Sequence, residues 1–425
     1  MRFLYSALLY LAAPFVLGRL AWRGRKLPAY RQRWAERFAL YKTKPEPGVI
    51  WIHAVSVGEA EAAFPLIQAM LSQYPACKIL VTATTPTGSN RIREVLGKSV
   101  LHAYLPYDLP DSVDRFFRHY RPLLGVILET EIWPNLYCAC RNHHVPLAII
   151  NWRLSEKSAR GYQRLHSLCL ESLDAVSLIA AQTVADAERY ISLGADPSRV
   201  VVTGNIKFDF EFSSAMHVQA QQLRHALFGE RPVWIAGSTH QGEDELILAA
   251  FAKLLRDIPN LLLVLAPRHP ERMDKVMELC KRRTFTVTRR SEGVSCSEST
   301  AIFLLDSLGE LRLFYATADV AFVGGSLVPL CGHNVLEPAS AGLPVLFGPH
   351  LFNFAEIGTR LKACGGAIEV LTSDELADQT RQLLLNSELR ASIGLRAKEF
   401  VSSNRGALLR VLDLLTGWLS EDKPL

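Results

Sequence analysis

At 425 residues the chain exceeds the range in which a single hydrophobic core keeps growing, so two domains of about 200 residues each are expected. Its composition, 49% hydrophobic and 21% charged, is that of an ordinary globular protein. The net charge of +5 is uneven: residues 1–44 carry ten Lys and Arg (Arg2, Arg19, Arg23, Arg25, Lys26, Arg31, Arg33, Arg37, Lys42, Lys44) against Glu36 alone, a surplus of +9 over a remainder at −4. A basic arm on a mildly acidic body excludes a general nucleic-acid binder and points to an anionic surface as partner.

The arm opens with FLYSALLYLAAPFVL (residues 3–17), apolar throughout and closed by Gly18 and Arg19. A spanning helix needs about 20 apolar residues, so this run is marginal in length. A cleaved signal peptide is one alternative, but here the charge follows the apolar run instead of preceding it; a merely buried first helix is another. The favoured expectation is an uncleaved anchor whose basic flank sets the body on the cytoplasmic side and holds anionic head groups. Its length does not decide between spanning the membrane and lying in it.

Beyond the arm, short β-rich runs alternate with amphipathic stretches: VIWI at 49, ILVTA at 79, GVIL at 125, LAII at 147, SLIAA at 177 and VVVT at 200. Runs without polar alternation predict strands of a parallel sheet buried on both faces. A polar passage from 208 to 230 follows, and then PVWIAGSTHQGEDE restarts the pattern of VIWIHAVSVGEAEA: strand, Gly/Ser loop, acidic helix start. Strands at LLLVLA (261), IFLL (302), VAFVGG (320) and PVLF (344) complete a second domain. The predicted architecture is therefore an N-terminal anchor (1–44) followed by two doubly wound, Rossmann-like α/β domains (45–210 and 211–425, the latter with the C-terminal helices). The two domains would face a cleft at the carboxyl ends of both sheets, where such folds bind ligands.

In the first domain, polar clusters follow the strands at Ser56–Glu59, TATTPTG from Thr82, ETEIWPN from Glu129, NWRLS from Asn151 and GNIKFD from Gly204. Glu59 has two readings. It is a helix-start carboxylate held charged by the helix dipole, and that same charge suits a general base within reach of an attacking hydroxyl.

In the second domain the densest stretch is GGSLVPLCGHNVLEPASAGLPVLFGPHLFNF, from 324 to 354. Gly324-Gly325-Ser326 ends a strand with a turn that lets backbone approach a ligand, and Gly332-His333-Asn334 precedes a helix near Val335 whose free N–H groups would favour a phosphate. Glu337 could accept hydrogen bonds from ribose hydroxyls, or be no more than a helix-start carboxylate. Pro267-Arg268 follows another strand, and Arg268 offers bidentate donors to a phosphate. Leu308-Gly309-Glu310 turns into a helix at the same end. Together these loops describe a nucleotide pocket lacking a Walker lysine motif and the dinucleotide glycine pattern. The eight cysteines are scattered without metal or redox spacing and read as free thiols of a reducing compartment. No metal-ligand cluster is expected, and His143-His144 reads as a solvated helix end.

The ordered series HAVSVGE, TTPTGS, YLPYD, ETEIWPN, RLS, GNIKFD, APRHPER, LGEL, AFVGGSLVP, GHNVLEPA and GPHLFNF, spread over nearly the whole chain, resembles the 3-deoxy-D-manno-octulosonic acid (Kdo) transferases of lipopolysaccharide synthesis. The resemblance implies a membrane-associated GT-B glycosyltransferase with CMP-Kdo as donor and a lipid A precursor as acceptor. It also implies an inverting, metal-independent, cofactor-free transfer at the cytoplasmic face of the cell inner membrane. By motif it implies Glu59 as general base, Glu129 and Lys207 as supports of the transition state and sugar carboxylate, and Pro267, Arg268, Leu308, Gly309, Glu310, Asn334, Val335, Leu336 and Glu337 as the CMP site. Two departures stand out: Cys331 replaces an expected glycine before GHN, and Trp152 replaces a small residue before RLS, with a possible effect on acceptor fit. The rival functions are another GT-B nucleotide-sugar enzyme, such as an epimerase or a UDP-sugar lipid transferase, and a non-catalytic membrane scaffold.

Overall fold

The computed structural model describes residues 1–425 except 27, 130, 131, 155, 211, 331 and 420–425. Cys331, and with it the departure before GHN, lies outside the described residues, as do Thr130, Glu131 and Ser155 of two polar clusters.

The chain forms two compact units, residues 1–209 with 405–425, and residues 210–404. The first is built on seven parallel strands, β1 (Val49–His53), β2 (Lys78–Ala83), β3 (Leu101–Tyr104), β4 (Leu124–Leu128), β5 (Leu147–Trp152), β6 (Leu178–Ala181) and β7 (Val200–Val202), in the order 3-2-1-4-5-6-7. The second sheet has seven more, β8 (Val233–Thr239), β9 (Leu262–Pro267), β10 (Val287–Arg289), β11 (Ile302–Leu304), β12 (Val320–Val323), β13 (Val345–Phe347) and β14 (Ala367–Glu369), in the order 10-11-9-8-12-13-14. The runs singled out in the sequence are all strands. The three that went unread, β3, β10 and β14, are three or four residues long and sit at sheet edges, where one flank is unpaired and a continuous apolar run is not required.

Each sheet carries a core on both faces, which is why its central strands are apolar at consecutive positions. In β1, Val49 and Trp51 enter one core while Ile50 and Ile52 enter the other. Trp51 packs edge-on against Phe116 and Phe117, and its indole N–H donates to Thr82 Oγ1 at 2.8 Å. Gly125 in β4 makes that possible, because a Cβ there would stand 3.0 Å from the Trp51 ring.

His53 closes β1 fully buried, with Nδ1 2.9 Å from Thr82 Oγ1, and burial pushes its pKa down to about 4. The folded chain thus holds His53 neutral where the unfolded chain takes up a proton. Its stabilising contribution is complete above pH 6.5 and is lost as pH falls to about 4. At about 1.4 kcal/mol per pH unit, His53→Gln is expected to remove about 3 kcal/mol of acid sensitivity across that window. Urea unfolding at pH 7 and pH 4.5 checks this; equal pH slopes in variant and wild type would discard it.

Helix α1 (Arg2–Lys26) is long and apolar enough to cross a membrane by length and composition, and only 6% of its apolar window is buried. That overturns the buried-helix alternative. Phe3, Leu4, Leu8, Leu11, Phe15 and Trp22 face outward. Its other side is pinned to the first unit: Tyr5 Oη donates to Asp108 Oδ2 (3.0 Å), Ser6 Oγ to Asn135 Oδ1 (3.1 Å) and Tyr10 Oη to Asp111 Oδ1 (2.5 Å). Asp108 in turn accepts from the backbone N–H groups of Asn135 and Leu136, at 3.0 and 2.7 Å. Seven described cysteines are free, and four of them are buried.

The final helix, Ala407–Thr416, belongs to the first unit, where Ala407, Val411 and Leu415 join the core under β1 and β4. This differs from the division read in the sequence, which placed all C-terminal helices with the second domain. An amphipathic helix shows in sequence that it has an apolar face but not which core receives it.

Candidate active site

In the first sheet, strand order reverses between β1 and β4, and the loops leaving these two strands carry Glu59 and Glu129. Such a switch point is where an open α/β sheet leaves room for a ligand. Ser56 is the N-cap of α2 (Val57–Gln73), and its side chain accepts from Glu59 N. Glu59 reaches back: Oε2 accepts from Val55 N at 2.6 Å, and Oε1 from Ser56 Oγ at 3.3 Å. This reciprocal arrangement is a capping box extended by one residue, so the helix-start reading of Glu59 holds. The loop is backed by α3 (Pro86–Leu96): Thr85 caps it, accepting from Gly88 N at 3.1 Å, and a Cβ on Gly88 would lie 3.2 Å from the Ser56 carbonyl carbon.

Glu129 leaves β4 with φ +57°, a left-handed conformation that costs a non-glycine residue about 1 kcal/mol or more. Its Oε1 lies 2.8 Å from Lys207 Nζ, and both side chains are about three-quarters covered. Lys207 is aimed by a network spanning three strand ends. Asn151, buried and left-handed at φ +54°, accepts from Ile206 N (3.0 Å); Gln182 donates to Asn151 O (2.8 Å); Asn205 donates to Gln182 Oε1 (2.9 Å) and accepts from Lys207 N (2.9 Å). The structure thus joins Glu129 and Lys207 directly, and Asn151, Gln182 and Asn205 are their positioning residues. Trp152 is fully buried, stacked on Tyr190 with ring centroids 3.5 Å apart, and belongs to the core of the first unit. His143 caps the C-terminal end of the helix Pro134–Asn142 with its ring stacked on Phe117, so the helix-end reading holds.

In the second sheet the corresponding reversal lies between β8 and β12. Here the main organiser is a residue the sequence reading did not single out. Glu243, buried, accepts from Gly325 N (2.6 Å), Ser326 N (3.1 Å), Leu327 N (2.9 Å) and His240 N (3.3 Å), clamping the Gly-Gly-Ser turn to the loop after β8. Burial raises its pKa, and the four N–H groups oppose that shift. The glycines are needed: a Cβ on Gly324 would come within 2.6 Å of Ser238 O, and Gly325 and Gly332 have φ +70° and +56°. The signal was present in the echo between SVGE and HQGE, since both glutamates accept N–H groups of their own loop.

Arg268 leaves β9 with its N–H on Thr239 O at 3.0 Å and its guanidinium exposed. Beside it, His240 Nε2 and His333 Nε2 are 2.7 Å apart in stacked rings, with His269 edge-on to His240. Burial first, then neighbouring cationic groups including Arg268, push these pKa values down to about 4 and about 3. At neutral pH both rings are therefore uncharged, and the cationic side chains beside them are those of Arg268 and Arg272. Gly309 has φ +84° and Leu308 is exposed, so this turn can present backbone. The Glu310 carboxylate is taken by Arg290, at 3.0 and 2.9 Å, and by Ser307, and the Arg290 hydrogen bonds depress its pKa. The helix following Asn334 is only Leu336–Ser340, and its Leu336 N–H already bonds Asn334 Oδ1 at 3.0 Å. The expected helix-end phosphate support is correspondingly reduced to a single turn. Asn334 Nδ2 also donates to Glu337 Oε1 at 3.3 Å, fixing that carboxylate. A separate hollow of about 580 Å3 beside Phe347–Gly348 and Thr359–Lys362 includes none of the expected site residues.

The description "3-Deoxy-D-manno-octulosonic-acid transferase (kdotransferase)" matches residues 32–210. Over 424 residues the chain is 43% identical to the 3-deoxy-D-manno-octulosonic acid transferase of Haemophilus influenzae, with 99% of each chain covered. This chain belongs to the Kdo transferase family. The Bordetella pertussis member of the Kdo transferases is 36% identical over 388 residues, 88% of either chain. Among solved structures, Neisseria meningitidis UDP-GlcNAc 2-epimerase bound to UDP-GlcNAc aligns with TM-score 0.56 at 14% identity, covering 87% of this chain and all of that one. Acinetobacter baumannii MurG aligns with TM-score 0.55 at 14% identity, covering 88% and 100%. These two show a shared GT-B fold, and Kdo transferase membership rests on the sequence relatives.

Proposed function

We propose that the protein transfers Kdo from CMP-Kdo to a lipid A precursor of the lipid IVA type, with inversion and without a metal, at the cytoplasmic face of the inner membrane. The observation that carries this reading is the 2.8 Å Glu129–Lys207 pair, its Glu129 in left-handed backbone where the chain leaves β4, in a chain whose relatives are Kdo transferases. In this account the first unit takes the acceptor and Glu59 removes the proton from its attacking hydroxyl. Lys207 meets the donor carboxylate and the charge that develops on transfer. The second unit takes CMP through Pro267, Arg268, the 308–310 turn and Asn334 to Glu337. Attack by the acceptor oxygen on the anomeric carbon breaks the bond to the CMP phosphate, which leaves with the bonding pair toward Arg268.

Helix α1 supplies the route to a lipid acceptor. Hydrogen bonds at Tyr5, Ser6 and Tyr10 pin one side to the protein while the other is apolar and exposed, which favours a helix lying in the membrane interface over one crossing it. Arg19, Arg23 and Arg25 on its last turns would meet anionic lipid.

The test is transfer from CMP-Kdo to a tetraacylated lipid A precursor by the detergent-solubilised full chain, with UDP-sugars as rival donors. Product mass should rise by one or more Kdo units, from CMP-Kdo alone. Transfer from a UDP-sugar, or none from CMP-Kdo, would overturn the reading.

A further inference from the structure

His240 stands in the loop after β8, and His333, 93 residues on, in the loop before the Leu336–Ser340 helix. Their Nε2 atoms are 2.7 Å apart, in rings parallel to within 2° whose centroids are 5.0 Å apart. That geometry sets both nitrogens on the line between the ring centres, so the N–H of one points straight at the lone pair of the other. Two neutral rings can do this only as opposite tautomers, with Nε2–H on one and Nδ1–H on the other. Burial and the neighbouring cationic groups keep both rings neutral, and a lysine or arginine in either place would be repelled by Arg268 and Arg272. Both ends of the bond are themselves held. Glu243 accepts the N–H of His240 at 3.3 Å and that of Gly325 at 2.6 Å, and Gly332 N donates to Gly325 O at 2.8 Å. Gly325 lies against both rings: a Cβ there would stand 3.2 Å from Cδ2 of His240 and 3.2 Å from Cδ2 of His333. Asn334 follows His333 directly, accepts from Leu336 N at 3.0 Å and donates to Glu337 Oε1 at 3.3 Å. The imidazole pair is thus a side-chain link between the turn that Glu243 clamps and the residue that aims Glu337.

We propose that His240 and His333 are positioning residues: their mutual hydrogen bond sets Asn334 and, through it, Glu337, so that the nucleotide site distinguishes ribose from deoxyribose. The proposal rests on the reading of Asn334 to Glu337 as part of the CMP site. A group that hydrogen-bonds a sugar hydroxyl rejects the analogue lacking that hydroxyl, because it is then left without its partner. It does so only while its supports hold it in place to within about 0.5 Å. Glu337 and Asn334 are partly exposed, and the helix that begins at Leu336 is five residues long, too short to fix them by itself. The ring of His333 supplies the missing support one residue upstream, and His240 carries it back to the Glu243 clamp.

The experiment titrates CMP and 2′-deoxy-CMP into the detergent-solubilised full chain by calorimetry and reads the ratio of the two affinities. An asparagine amide falls where the Nδ1 of a histidine lies and stops short of Nε2, whereas a glutamine amide reaches the Nε2 position with both a donor and an acceptor. His240→Asn and His333→Asn are each expected to lower the preference for CMP about fivefold, the scale of one lost hydrogen bond. The double variant should lose no more than either, since one change already breaks the bond. His333→Gln should stay within about twofold of wild type. Should one asparagine variant fail to fold, the other breaks the same bond from the opposite loop. A preference retained in the asparagine variants, losses that add in the double variant, or a glutamine variant as impaired as the asparagine one overturns the proposal. A wild-type protein that binds CMP and its deoxy analogue equally removes ribose recognition by Glu337, and the proposal with it. Failure of the underlying reading is distinguishable, because the wild-type protein would then bind neither nucleotide.

Discussion

Glu59→Gln is expected to lower kcat at least a hundredfold, toward the range of about 10²–10⁴ typical of a lost general base, while leaving the fold almost untouched. The choice of glutamine matters because the structure shows Glu59 as a capping residue and the proposal adds the role of base. Its carboxylate accepts the N–H of Val55 and the hydroxyl of Ser56 in the capping box, and glutamine serves in that position nearly as well. Thermal stability should therefore shift by well under the 1 kcal/mol or so of a lost cap, and CMP-Kdo binding should persist. Alanine would remove cap and base together and confuse the two. A glutamine variant with rates within about twofold of wild type would leave Glu59 as a capping residue only, and the base would have to be sought elsewhere at the β1–β4 reversal.

The second large effect is expected at Glu243. Glu243→Ala strips the acceptor from the N–H groups of Gly325, Ser326 and Leu327, each costing about 1–3 kcal/mol when left without a partner. Partial hydration offsets some of this, so a loss of about 3 kcal/mol is expected. For a unit of this size that corresponds to a fall in Tm of roughly 6–12 °C. Because the clamp shapes the Gly-Gly-Ser turn between β8 and β12, affinity for CMP should fall at least about tenfold under conditions where the variant remains folded. Scanning calorimetry and titration with CMP measure the two separately. An unchanged Tm would mean that water replaces the carboxylate at no cost, and an unchanged affinity would remove the turn from the nucleotide site.

Much of this architecture could be read from the chain because central parallel strands are buried on both faces and announce themselves as unbroken apolar runs, as in VIWI and LLLVL. The edges β3, β10 and β14 carry His102, Arg289 and Glu369 and fell below that signal. The loops that bear the candidate site were legible for a related reason: each begins where an apolar run stops. Pairings across long sequence distances were not. Nothing in HQGEDE says that Glu243 will hold an N–H 82 residues away, nor does GNIKFD reveal that Asn151 and Gln182 steer Lys207. The same limit hid the role of Glu310, whose carboxylate is spent on Arg290. Conversely, Trp152 stood out in the sequence as a departure before RLS, and its stacking on Tyr190 shows it to be core.

The return of the last helix to the first unit bears on how the protein is made. Asp209, the last residue before the chain leaves that unit, accepts the N–H groups of Gly406 and Leu408 at the point of re-entry, so residues 210–404 are an uninterrupted insert in a discontinuous host. A nascent chain emerging from the ribosome can complete the insert as soon as its own residues are out. The host, although synthesised first, lacks Ala407, Val411 and Leu415 from its core until nearly the whole polypeptide has been translated. Its β1–β4 surface must therefore wait, partly uncovered, through the synthesis of about 200 further residues.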